Sequence, residues 1–121
     1  MPEKVINMNI ETKIIDYLKK KGFQVYANVP SSRPTSFVTV ERTGGSHDSV
    51  VIDRPTVAIQ AWSDKRLSAS ELAYSIRDAL IGMVSEVNIC KVSINSIYNF
   101  PDPVSGVSRY QMIIDFVVQE G

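Results

Sequence analysis

Residues 54–83 constrain the fold more than any other stretch. Thr56-Val57-Ala58-Ile59-Gln60-Ala61-Trp62 alternates, with Val57, Ile59 and Ala61 on one side and Ala58, Gln60 and Trp62 on the other, which is the period of a strand. After the polar turn Ser63-Asp64-Lys65-Arg66, the residues Ala69, Leu72, Ala73, Ile76, Ala79, Leu80 and Met83 recur at spacings of three and four. Such a stripe predicts an amphipathic helix, and its alanines let the helix lie close to a sheet. Ser68 followed three residues later by Glu71 predicts a capping box at the helix start, with Tyr74, Arg77 and Asp78 on the solvated side and Gly82 near the end. A strand followed by a helix with a one-sided apolar stripe must bury that stripe on a sheet, so the fold combines both kinds of element.

The flanking segments agree with this. Ile6, Ile10, Ile14, Tyr17 and Leu18 predict a helix over residues 3–21, closed by the charges of Lys19-Lys20-Lys21 and by Gly22. Residues 23–29 alternate as a half-buried strand, Pro30-Ser31-Ser32-Arg33-Pro34 ends it, and residues 36–43 form the next strand. Thr43-Gly44-Gly45-Ser46-His47-Asp48-Ser49 is a run of turn formers, expected to project as an irregular, moving loop. Pro55 suits the first position of the strand that follows or an edge. Residues 87–100 alternate with Cys90, Val92, Ile94, Tyr98 and Phe100 in one phase, and Pro101-Asp102-Pro103-Val104-Ser105-Gly106 is a turn leading to the last strand, residues 109–119. The pair is expected to form an antiparallel hairpin. Tyr110, Met112, Ile114, Phe116 and Val118 share one face of the last strand, but Ile113 and Val117 make the other face partly apolar as well, which indicates a central strand or a protein interface.

The sum is an α+β fold in a single domain over residues 1–121, with a four- to five-stranded antiparallel or mixed sheet and two helices packed on one face. A chain of 121 residues suits one core. Thirteen basic residues balance thirteen acidic ones, which leaves no net field to draw a polyanion and argues against a dedicated nucleic-acid-binding domain. The lone Cys90 has no disulfide partner and reads as a buried thiol. Neither a signal-type apolar run after Met1-Pro2-Glu3-Lys4 nor a membrane-spanning run is evident, so no membrane partner and a cytoplasmic address are expected.

Catalytic signals are few. His47 beside Asp48, with Asp53 close by, has the elements of a carboxylate-oriented general base or a cation site, and a small hydrolase using them is one alternative. Adjacent loop residues are not held in fixed geometry, however, and no second histidine or supporting motif is present. No catalytic, cofactor or metal residues are therefore expected, and the polar protrusions are better read as partner contacts. Trp62, off the core face of its strand, is expected to cover the end of the core or a subunit seam.

Three stretches resemble the small tail-terminator, or tail-completion, proteins of long-tailed bacteriophages and their prophages. Phe37-Val38-Thr39-Val40-Glu41-Arg42-Thr43-Gly44-Gly45 resembles the strand into that family's glycine loop. Arg54-Pro55-Thr56-Val57-Ala58-Ile59-Gln60-Ala61-Trp62-Ser63, with Ala69-Ser70-Glu71-Leu72-Ala73 and Ile76-Arg77-Asp78-Ala79-Leu80, is similar to its strand and helix. Pro101-Asp102-Pro103-Val104-Ser105-Gly106 with Arg109-Tyr110 is similar to its final hairpin. The first helix adds nothing to the resemblance. What the resemblance implies is a structural virion protein of the phage tail, assembled in the host cytoplasm as a homo-oligomeric ring, a hexamer, that caps the tail tube and joins it to the head connector. A head-completion protein of the same virion is the neighbouring alternative. On this reading Gly44, Gly45, Ser46, His47, Asp48, Asp53, Asp102 and Gly106 contact the tail tube protein or the connector protein, and Trp62, Ile113 and Val117 lie near subunit seams.

Overall fold

The computed structural model describes residues 9–47 and 51–119. Among them are two α-helices, α1 (Ile10–Lys20) and α2 (Arg66–Ile81), a 3-10 turn (Gly82–Ser85), and five strands: β1 (Val25–Tyr26), β2 (Phe37–His47), β3 (Ile52–Ser63), β4 (Ile89–Asn99) and β5 (Ser108–Gln119). The strands form one mixed sheet in the order β1-β2-β3-β5-β4. Only β1–β2 is parallel, and β5 lies between β3 and β4. The chain thus has the expected α+β fold, with β5 as the inner strand that its two-sided apolar pattern predicts.

One hydrophobic cluster joins Ile10, Ile14 and Leu18 of α1 and Ala73, Ile76 and Leu80 of α2 to a single face of the sheet, formed by Val38 and Val40, Val57 and Ile59, and Met112, Ile114, Phe116 and Val118. The Tyr17 hydroxyl donates to the Ala79 carbonyl at 2.9 Å, tying the helices to each other above that face. Truncating a side chain as enclosed as Ile14 to alanine would cost about 2–5 kcal/mol.

Asn9 caps α1, its Oδ1 accepting from the Glu11 and Thr12 amides at 3.0 and 3.3 Å, while its backbone is extended. The helix therefore begins at Ile10 and not at Glu3; the predicted turns over residues 3–8, including Ile6, lie outside the described residues. The other end closes as expected: Gly22 at φ +97° donates to the Lys19 carbonyl and Phe23 to the Leu18 carbonyl, the paired bonds of a glycine-closed helix end. In α2 the cap position is Lys65, without a side-chain hydrogen bond, and Ser68 lies inside the helix. The expected Ser68–Glu71 capping box is not formed, because the chain turns helical before it reaches Ser68 and leaves no non-helical backbone there for a cap.

Three strands depart from expectation. The strand predicted over 23–29 shrinks to Val25–Tyr26, where the chain runs beside Val38 and Thr39 before it turns away through the proline-rich segment. β2 runs on through residues 43–47, the stretch expected to be an irregular loop. Its glycines do not end the strand; they accommodate a bulge. Pairing with β3 slips by one residue between Arg42 and Gly44, and Gly45 adopts φ +109° with its Cα against the β3 backbone. A Cβ at Gly45 would lie 2.2 Å from the Arg54 carbonyl oxygen, so only glycine fits. Pro55 sits inside β3, not at its start or on an edge strand; its missing donor falls where the β3–β5 ladder has no partners for Arg54 and Pro55.

In β4, shifts at Ile89/Lys91 and Ile94/Ser96 each reverse the phase of alternation. Ile89, Val92, Ile94 and Ile97 consequently reach the core, and Cys90 is exposed instead of buried.

Candidate interaction surfaces

The residues singled out from the sequence fall into three places. The first is the far end of the β2–β3 hairpin, where residues 41–47 are all exposed. His47 pairs with Asp53 and Ser46 with Arg54 across the ladder. Asp53 itself is only 3% exposed. Its carboxylate accepts from the two terminal Arg42 nitrogens, at 2.7 and 2.9 Å, and Arg42 Nε donates to the Gly44 carbonyl at 2.9 Å. These bonds hold the Asp53 carboxyl below the usual carboxylate range, against the upward push of burial. His47 Nδ1 lies 3.7 Å from Asp53 Oδ1. Asp53 is thus the anchor of a bidentate lock between the hairpin strands. Asp48 lies outside the described residues.

The second place is the β4–β5 turn. Asp102 organises it: its carboxylate accepts from the Ser105 hydroxyl and, at 3.3 Å, from the Val104 amide, and its carbonyl accepts from Gly106 at 2.9 Å. The Ser105 hydroxyl is the main cause that keeps this exposed carboxyl below its ordinary value. The turn holds Val104 out, 94% exposed.

The third place is the sheet face opposite the helices, which gathers Trp62, Ile113 and Val117. A hydrogen-bonded row crosses this face: Trp62 Nε1 donates to Thr39 Oγ1 at 3.0 Å, Thr39 to Gln60 Oε1 at 3.0 Å, Gln60 Nε2 to Gln111 Oε1 at 2.7 Å, and Gln111 Nε2 to the Tyr98 hydroxyl. Ile113 and Val117 are half-buried beside it. Trp62 lies off the helix side as expected, yet it is 3% exposed, because Phe37 stacks on it at 5.4 Å and Arg33 and Arg109 lie over its ring. Near the hairpin end, a groove of about 580 Å³ opens between Ser46, Arg54, Thr56, Lys91, Asp115 and Val117.

The two protruding ends do not meet. Ser108, beside the turn, pairs with Ser63, whereas Gln119 pairs with Ile52 beside the hairpin tip, so the 12 residues of β5 separate them by roughly 35 Å. Gly44, Gly45, Ser46, His47 and Asp53 make one group, Asp102 and Gly106 another. Arg33, Arg42, Arg109, Gln60 and Gln111 were not distinguished as site residues by the sequence; strand register brings the last four to their partners, and the loop between β1 and β2 brings Arg33 to Trp62.

Among the described residues no three His, Cys, Asp or Glu side chains converge as a metal site, and no helix is long and apolar enough to cross a membrane. No protein-family model matches the chain, and no curated protein matches it.

Proposed function

We propose that this protein is a structural component of a bacteriophage virion, a ring-forming subunit, six to a ring, that caps the tail tube and joins the tail to the head connector. The phage assignment comes from the resemblance carried by residues 37–45, 54–63, 69–73, 76–80, 101–106 and 109–110. The observation that supports a joining role is the placement of the two protrusions at opposite ends of one rigid sheet. A subunit that bridges two assemblies needs a separate contact for each, and side-by-side subunits leave both ends free. The sheet face opposite the helices, with Ile113 and Val117 half-buried and its polar groups bonded to one another, is the surface this reading gives to neighbouring subunits.

Electron microscopy of the purified protein, alone and mixed with isolated tail tubes, tests the proposal. Sixfold rings seated on tube ends are expected. A monomer that never binds tubes would sink the assignment, and rings that bind connectors but not tubes would move it to a head-completion role.

A further inference from the structure

At the turn end of the sheet a row of rings and guanidinium groups runs from β1 to the end of β4. Tyr26 meets Phe37 edge-on at 6.1 Å, Phe37 stacks on Trp62, Arg109 lies 4.9 Å from the Trp62 ring centre and 4.5 Å from that of Phe100, and Phe100 meets Tyr98 edge-on at 5.9 Å. Arg33, from the loop between β1 and β2, is a second cation over Trp62, at 5.4 Å. We propose that Arg33 and Arg109 form a clamp for a carboxylate of an acidic protein segment.

Two features favour it. The first is preorganisation: Arg109 is fixed by two aromatic rings and by its Nε–H donated to the Phe100 carbonyl at 2.7 Å, leaving its two terminal nitrogens available. Arg33 is exposed and has no hydrogen bond or ion pair among the described residues. Both guanidinium groups lie over one ring, at 5.4 and 4.9 Å from its centre, so an anion at the ring's edge is attracted by both charges. The second is that the nearby carboxylates are committed elsewhere. Asp102 accepts from its own turn, and Asp64 accepts from the Ser63 hydroxyl at 3.2 Å. Asp102 does feel Arg109, but as the weakest of the influences on its carboxyl.

A protein carboxylate fits better than a nucleic-acid phosphate. Phe37 and Trp62 are 2% and 3% exposed, so their faces are closed to a base, and the chain has no net positive charge. Tyr98 and Phe100, 38% and 39% exposed, offer apolar contact to a polypeptide side chain next to the carboxylate. The clamp does not depend on the ring reading, since it requires only a partner with an acidic segment.

Trp62 is the only tryptophan, so its fluorescence reports on the clamp directly. Titrating the full chain with a hexaglutamate peptide at low salt should change the emission saturably, and about 0.5 M salt should abolish the change. Arg33→Gln should weaken binding by about tenfold or more, with Arg33→Lys in between because an ammonium group lacks the guanidinium fork. Arg33 is on an exposed loop and its aromatic contact is with Trp62, so Arg33→Gln should cost no more than about 1 kcal/mol and both variants should still unfold cooperatively, which separates lost binding from lost folding. The proposal is overturned by the absence of a saturable change, by unaltered affinity in Arg33→Gln, or by inorganic phosphate or an oligothymidylate binding as tightly as the peptide.

Discussion

Asp53 shows how one carboxylate is committed by its surroundings. Both its oxygens are on Arg42 and it is 3% exposed, so its ionised form is favoured in the fold. An unfolded Asp titrates near 3.9. With the folded value below that, the unfolded chain binds the extra proton first as the solution is acidified; the stabilisation is complete above about pH 4 and is lost as pH falls through the lowered folded value. Asp53→Asn should therefore cost about 1–2 kcal/mol at neutral pH and should flatten the acid side of the stability curve. Chemical denaturation of both proteins between pH 2 and 7 checks this, and superimposed curves would show that the lock contributes nothing. Cys90 gives a second test at this scale. Because the first β4 bulge turns it outward, it should react with a thiol reagent in the native protein at close to the rate seen in denaturant. Strong protection would put the bulge in the wrong place.

The elements themselves differ in how far they could be read. The apolar stripes of α1, α2 and β5 are local patterns, so their buried faces were legible: Ile14 and Leu18, Ile76 and Leu80, and Met112, Ile114, Phe116 and Val118 all lie where spacing puts them. Register is not local. Nothing in residues 89–99 announces two bulges, and a single assumed phase places Cys90 inside; the slips exist because β4 must stay on β5 over 11 residues. Likewise the glycines at 44 and 45 signal a loop to any local rule, and it is the facing β3 backbone that turns them into a bulged strand. The site suffered most from this, since the Arg42–Asp53 lock and the Trp62–Arg109 contact are cross-strand relations. Capping offers an element-scale prediction. Lys65 has extended backbone and no side-chain bond, and its positive charge stands where the α2 dipole is positive. Lys65→Asp should supply the missing acceptor and stabilise the protein by about 1 kcal/mol, or about 3–5 °C in melting temperature. An unchanged or lower melting temperature would mean that the first turn of α2 is satisfied another way.

At the scale of the whole molecule, the sheet acts as a spacer. Its two longest strands, β3 and β5, lie side by side and carry the core on one side, so the hairpin tip and the β4–β5 turn are held apart by packed structure rather than by a linker. Changes at the two ends should then be independent. Val104 is 94% exposed, and Val104→Asp should leave stability within about 0.5 kcal/mol of the parent. Combined with Asp53→Asn, roughly 35 Å away, it should add with no more than about 0.5 kcal/mol of coupling. If the protein joins two assemblies as proposed, binding should separate in the same way: each single variant should weaken attachment to one assembly and keep the other, and the double variant should lose both. Pull-down of tubes and of connectors with the three variants, beside their denaturation curves, distinguishes the possibilities. If either single variant loses both partners while stability remains additive, the partners share one surface, and the two protrusions are not the two ends of a joint.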